Sequence, residues 1–204
     1  MKPLYIEGIL NLFSAKLELK FVLLTFIGIL LLPIFAMFVL TNAGIPAVSS
    51  HLASINASTH QIEIHDPSGK VIATITATTV WPISGPVTLE FGASDLPYQP
   101  FHTGIDIAGP NGGGITPFMA GKVIYAGEIS WGFGKHVIVD NGNNVTSIYA
   151  HMSEIDTSVG AEVKPGDIIG KEGMTGWATG PHVHFQINVF GIPVDPRTFV
   201  LGNP

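Results

Sequence analysis

Cysteine is absent from the 204 residues. That removes disulfides, thiolate metal sites and cysteine nucleophiles, and a transition metal would have to rely on histidine and carboxylate. Charge is scarce as well. Asp, Glu, Lys and Arg make up 12% of the chain, about half the usual share for soluble domains. Basic residues are the scarcer sign, 9 against 15 acidic, and from Phe91 onward acids outnumber bases ten to five. An acidic region without a basic patch speaks against nucleic acid as a partner. A helical period is also missing after residue 60, which turns attention to strands.

What the chain has in excess is apolar sequence near its N-terminus. Phe21 to Leu40 carries no charge, and twenty helical residues rise about 30 Å, the thickness of a bilayer's hydrocarbon core. Pro33 is a kink that membrane helices tolerate. Lys2, Lys16 and Lys20 precede the span, and the next basic residue is Lys70. This asymmetry predicts a single-pass protein of the cell membrane. Residues 1–20 would be cytoplasmic, 21–40 would cross the lipid bilayer, and the rest would be extracytoplasmic, at the cell surface or in the periplasm. Thr41-Asn42-Ala43 offers a small-residue cleavage site, but the apolar run is longer than a signal-peptide core, so a retained anchor is expected. Before the span, Ile6, Ile9, Leu10, Phe13 and Leu17 recur at helical spacing and predict a short interfacial helix.

Residues 41–59, rich in Ala, Ser, Asn and Thr, read as a linker that would span roughly 25 Å as a coil. Residues 60–80 read as a β-hairpin, with Gln61–Ile64 and Val71–Ile75 flanking the turn Asp66-Pro67-Ser68-Gly69. From 81 to 204 short strands are expected at Val87–Phe91, Gly121–Ala126, His136–Asp140, Val145–His151 and Ile168–Lys171. Turn signals such as Asp140-Asn141-Gly142 and Lys164-Pro165-Gly166-Asp167 separate them. The predicted fold class is all-β, with antiparallel sheets around one core.

The stretch that organises this region is Gly180-Pro181-His182-Val183-His184-Phe185-Gln186-Ile187-Asn188-Val189. It alternates without a fault, polar at 182, 184, 186 and 188 and apolar between. That is a strand with one face in the core and one facing a groove. His182 and His184 therefore project side by side. His102-Thr103-Gly104-Ile105-Asp106 adds a histidine and a carboxylate four apart. On a straight strand their α-carbons would be about 13 Å apart, too far to share an ion. Gly104 allows a bend that would turn both inward. His151 ends Ser147-Ile148-Tyr149-Ala150-His151, where alternation puts Tyr149 and His151 on one face and Ile148 and Ala150 on the other.

From roughly Trp81 to Phe199 the sequence resembles the lysostaphin-like (LytM-type) zinc endopeptidases that cut peptidoglycan. The likeness rests on FHTGIDIAGP, SIYAHMS, VKPGDIIGKEGMTG and ATGPHVHFQI, in that order. The resemblance implies a lysostaphin-like domain of the duplicated hybrid motif type. His102, Asp106 and His184 would bind Zn²⁺, and His151 and His182 would be the catalytic histidines. The implied activity is hydrolysis of peptide bonds in peptidoglycan cross-links or cross-bridges. Ala178 stands where the family often has Ser, and Gln186 where it often has Glu. Neither is an implied ligand, so both are read as shaping the groove.

The chemistry suits that division. Three protein ligands leave a zinc ion an open position, and two His with one Asp leave it a net positive charge. No HExxH glutamate is present, so the free histidines are the groups available for proton transfer and oxyanion stabilisation. Two other readings differ in class. A membrane-anchored LytM-type regulator or wall-binding module would act through partners without cleaving anything. A biotinyl- or lipoyl-like carrier would use the Val163–Ile169 hairpin, but the carrier motif is missing around Lys171.

Overall fold

The computed structural model describes residues 20–33, 44–94 and 101–204. The chain divides into two compact units, Met1–Thr41 and Asn42–Pro204. In the first, residues 20–33 form a helix, α1, whose side chains are all exposed. Among the described residues no helix is long and apolar enough to cross a membrane. The last third of the expected span, 34–40, lies outside the described residues. So does the expected interfacial helix over residues 6–17.

The second unit corrects the expectation of a coiled linker. Ile45–Leu52 form a helix, α2, and Ala53–Ile55 form strand β1. Pro46 lies in the first turn of α2, where its fixed φ suits a helix start. Leu52 is buried, and α2 packs on β1 and on Ile62–His65 (β2). An eight-residue helix is too short to establish a 3.6-residue period, so composition alone reads as linker. The expected hairpin is present: β2 pairs antiparallel with Val71–Ile75 (β3). The Asp66 carboxylate closes its turn, accepting from the Ser68 amide at 2.8 Å and the Lys70 amide at 3.1 Å.

The remaining strands are Val87–Leu89 (β4), Ile105–Ile107 (β5), Gly114–Ile115 (β6), Gly121–Glu128 (β7), Lys135–Asp140 (β8) and Val145–Met152 (β9). They continue with Glu154–Ile155 (β10), Glu162–Val163 (β11), Gly170–Lys171 (β12), Val183–Val189 (β13) and Ile192–Val194 (β14). The main sheet runs β11-β7-β8-β9-β13-β5-β4, with β14 also on β13. A small sheet, β10-β12-β6, accompanies it, and every recorded strand pair is antiparallel. The fold is thus all-β in this region, as the turn-punctuated sequence predicts.

Strand β13 lies between β9 and β5 and sets the core. Its odd residues Val183, Phe185, Ile187 and Val189 are fully buried. The Phe185 ring meets those of Trp81, Phe118 and Tyr149 at centroid distances of 6.3, 5.7 and 5.5 Å. Gly104 matters for closeness of approach. A β-carbon there would lie 2.4 Å from the Phe185 carbonyl oxygen and 2.9 Å from the His184 ring. Any other residue would push the His102–Asp106 segment off β13.

One face assignment changes. Cross-strand partners put Tyr149 opposite Phe185 and Ala150 opposite His184. Tyr149 is a core residue: it is fully buried, and its hydroxyl accepts the Phe118 amide proton at 2.8 Å. Regular alternation would send His151 into the core beside it. Instead His151 has a φ of +63°, the left-handed region, and β8 pairs with β9 through a register shift between Lys135 and Val137. The left-handed residue turns the imidazole back to the groove. Such a conformation at a non-glycine residue costs of order 1–2 kcal/mol.

A comparison of two substitutions isolates that strain. His151→Gly should melt above His151→Ala, by about 1 kcal/mol or roughly 2–4 °C, because only the alanine retains a β-carbon in the left-handed region. Circular dichroism melts of the two proteins measure it. An alanine variant as stable as the glycine variant would show that no strain resides there.

Candidate metal centre

Register brings the predicted residues together. His184 on β13 stands directly opposite Asp106 on β5, and His102 precedes β5 across the Gly104 approach. His102 Nε2 lies 3.0 Å from Asp106 Oδ1 and 2.9 Å from His184 Nδ1. His184 Nδ1 lies 2.9 Å from Asp106 Oδ1. Among the described residues these three form a cluster able to hold a metal ion. The four-residue spacing that a straight strand would stretch is folded back onto one point.

The outer nitrogens show which way the rings are protonated. His102 Nδ1 lies 3.1 Å from the Glu90 carbonyl oxygen, which can only accept, so the proton is on Nδ1 and Nε2 presents a lone pair. His184 Nε2 faces Gln186 Oε1 at 3.3 Å, which leaves the Nδ1 lone pair facing inward. Two lone pairs and a carboxylate oxygen thus converge within 3.0 Å of one another. Ligands of a tetrahedral zinc ion sit about 3.3 Å apart, given bonds near 2.0–2.1 Å. Imidazole and carboxylate ligands suit zinc, and the donor set fits it. Burial by itself raises the Asp106 pKa; when the His102 and His184 rings are protonated, their N–H groups and charge outweigh that and hold the carboxyl well below the usual carboxylate range.

His182 and His151 lie beside this triangle, outside the cluster. His182 Nδ1 donates to the Gly180 carbonyl at 2.8 Å, while its Nε2 faces Asp106 Oδ2 at 3.5 Å. The His151 ring is 4.8 Å from that of His182 and 5.9 Å from that of His184, centroid to centroid. His151 Nδ1 donates to the Thr175 carbonyl at 2.8 Å, leaving the Nε2 lone pair unclaimed by that bond. Burial, and then the charge His184 carries when protonated, lower its pKa to about 4, so the ring is neutral at pH 7.

A cavity of about 320 Å³ opens beside these histidines. His151 and His184 form its inner end, and Ile129, Trp131, Phe133 and Trp177 much of the rest. Its described lining includes no Lys, Arg, Asp or Glu. Trp131 and Trp177 are 62% and 60% exposed, and their rings lie 6.1 Å apart. A backbone bond joins their two loops, the Trp177 amide donating to the Gly132 carbonyl at 2.8 Å, and a second ties the Trp131 loop to β9, the His151 amide donating to the Phe133 carbonyl at 2.9 Å. Gly134 fits only without a side chain, since a β-carbon there would lie 2.4 Å from the Thr175 carbonyl carbon.

Several of these contributors carry little or no sequence signature. Thr175 works through its carbonyl, which every residue has and no motif marks. Trp131 and Trp177 carry a weak one: aromatics beside glycines in loops. His136 stays outside the cluster, stacked on Tyr125 at 4.4 Å.

The model of peptidase family M23 matches residues 100–196. The DD-carboxypeptidase/endopeptidase Mpg of Neisseria meningitidis is 37% identical over 103 residues, covering 50% of this chain and 24% of that protein. The murein hydrolase activator NlpD of Escherichia coli is 35% identical over 124 residues, covering 61% of this chain and 31% of that protein. The chain therefore spans only about a quarter to a third of these relatives. The catalytic domain of lysostaphin from Staphylococcus simulans, an antimicrobial peptidase, superposes with a TM-score of 0.53 at 30% identity, over 56% of this chain and 91% of that domain. A likeness that takes in nearly the whole of that domain places this chain in peptidase family M23.

Proposed function

We propose that this chain is a membrane-anchored, zinc-dependent endopeptidase that hydrolyses peptide bonds in peptidoglycan cross-links or cross-bridges. The observation that carries the reading is the convergence of His102 Nε2, Asp106 Oδ1 and His184 Nδ1 next to two histidines that are not part of the triangle. Bound there, zinc would supply a Lewis acid that polarises a peptide carbonyl and acidifies water. The protein's own groups supply the rest. His151, neutral and pinned by Thr175, offers Nε2 as a proton acceptor. His182, held by the Gly180 carbonyl, completes a pair with it that shares proton transfer and oxyanion stabilisation. The uncharged wall of Trp131, Phe133 and Trp177 orients the peptide and excludes water.

The anchor would be residues 21–40, with the N-terminus cytoplasmic and the peptidase domain outside. The charge-free sequence supports this, and so do the exposed apolar side chains of α1. The likeness to an activator of murein hydrolases supports a second reading, a regulator that binds the wall and cleaves nothing. Retention of all five histidine and aspartate positions favours the enzyme. Zinc analysis together with digestion of purified sacculi, read by mass spectrometry, decides between them. Zinc-loaded protein that leaves sacculi intact while stimulating a separate hydrolase would establish the regulator.

Three outcomes follow from this reading. His184→Ala should lose zinc, whereas His151→Ala and His182→Ala should keep it and slow hydrolysis roughly 10²–10⁴-fold. Metal content and cleavage of the three purified variants test this, and zinc loss by folded His182→Ala would make both strand histidines ligands. Trp177→Ala should raise KM by up to about tenfold with little change in kcat, the worth of one aromatic contact made equally in ground and transition states. A fall in kcat alone would move Trp177 from binding to chemistry. Protease added to intact spheroplasts should digest the region after residue 40, and full protection would reverse the proposed orientation.

A further inference from the structure

Gln186 follows His184 on the same face of β13 and is 6% exposed. Its carboxamide is committed at both ends. Nε2 donates to Asn188 Oδ1 at 2.7 Å, so Oε1 faces the other way. There it accepts the Thr103 hydroxyl at 2.7 Å and lies 3.3 Å from His184 Nε2. An oxygen can only accept, so the His184 proton sits on Nε2 and the lone pair on Nδ1, the atom facing His102 and Asp106. If the amide turned over, its NH₂ would face Nε2 and drive the proton to Nδ1, into the ligand cluster. Asn188 opposes that turn, because it would bring two amide oxygens face to face.

We propose that Gln186 is a positioning residue for His184, which fixes the ligand tautomer through a neutral acceptor. Neutrality is the second half of the inference. A carboxylate at 186 would make the His184 ring more basic and a stronger ligand, and it would bury a second negative charge near Asp106. With an amide there, the ligand set carries one negative charge, and a divalent ion held by it stays net positive. Gln186 thus gives up some metal affinity for greater electrophilicity, which is more than a role in groove shape. The inference rests on the zinc reading above but is tested by binding, not by hydrolysis.

Zinc affinity of the full chain, measured by competition with a chromophoric chelator, distinguishes the cases. Gln186→Met keeps the length of the side chain and removes the acceptor, so affinity should fall roughly 10–100-fold. Gln186→Glu restores an acceptor, so affinity should equal or exceed that of the wild type. Melts of the zinc-free proteins identify any variant that fails to fold. If Gln186→Met is one of them, Gln186→Glu alone decides, since it conserves volume. Wild-type affinity in folded Gln186→Met, weaker binding by folded Gln186→Glu, or a wild-type chain without zinc affinity would each overturn the proposal. The expected order of affinities in a protein that cleaves no peptidoglycan would support it while removing the peptidase reading.

Discussion

The antiparallel pairing of β13 with β5 on one side and β9 on the other is the constraint on which the site depends. It sets His184 opposite Asp106 and Ala150, and it seats Phe185 in the core against Trp81, Phe118 and Tyr149. A slip of one residue would exchange the two faces of β13, putting imidazoles in the core and Phe185 in the groove. Core packing and the placement of the candidate ligands are therefore one decision. The apolar residues that stabilise the domain also specify where the histidines go.

Much of this was legible before any coordinates. Period-two alternation from 182 to 189 is strong evidence for a strand flanked by a core and a groove, and both are present. The candidate ligand pair His102 and Asp106 was legible only through family likeness, since their sequence spacing does not reveal the close approach at Gly104. What could not be read was backbone conformation that breaks a pattern. The left-handed turn at His151 reverses the face that alternation assigns, and no residue type in SIYAHMS announces it. Nor could α2 be read from eight residues, because a short helix derives its order from what it packs against and not from its own period.

The polar groups around the triangle form a second layer. Glu90 and Thr175 contribute backbone carbonyls, Gly180 another, and Gln186 a side-chain amide. Each takes the outer proton of one histidine, so the tautomer of each of these four rings is set by a neighbour. Three of those four acceptors are main-chain atoms, which substitution cannot remove. Glu172 adds a cross-tie, accepting the Gly109 amide at 2.8 Å and linking the segment after β5 to the loop that holds Thr175.

The backbone bonds that tie the Trp131 loop to the Trp177 loop and to β9 bear on kinetics. A wall tied through its own amides to the strand that carries His151 has little freedom to shut over a bound chain. Association at such a surface is docking to a nearly rigid body, limited by orientation and not by loop closure. Among the described residues the wall offers no lid, so in the peptidase reading proposed above product would leave at a rate set by the grip of the tryptophan pair. Side chains on the wall can change from one homologue to another and retune that residence time while the peptide backbone beneath them keeps its shape.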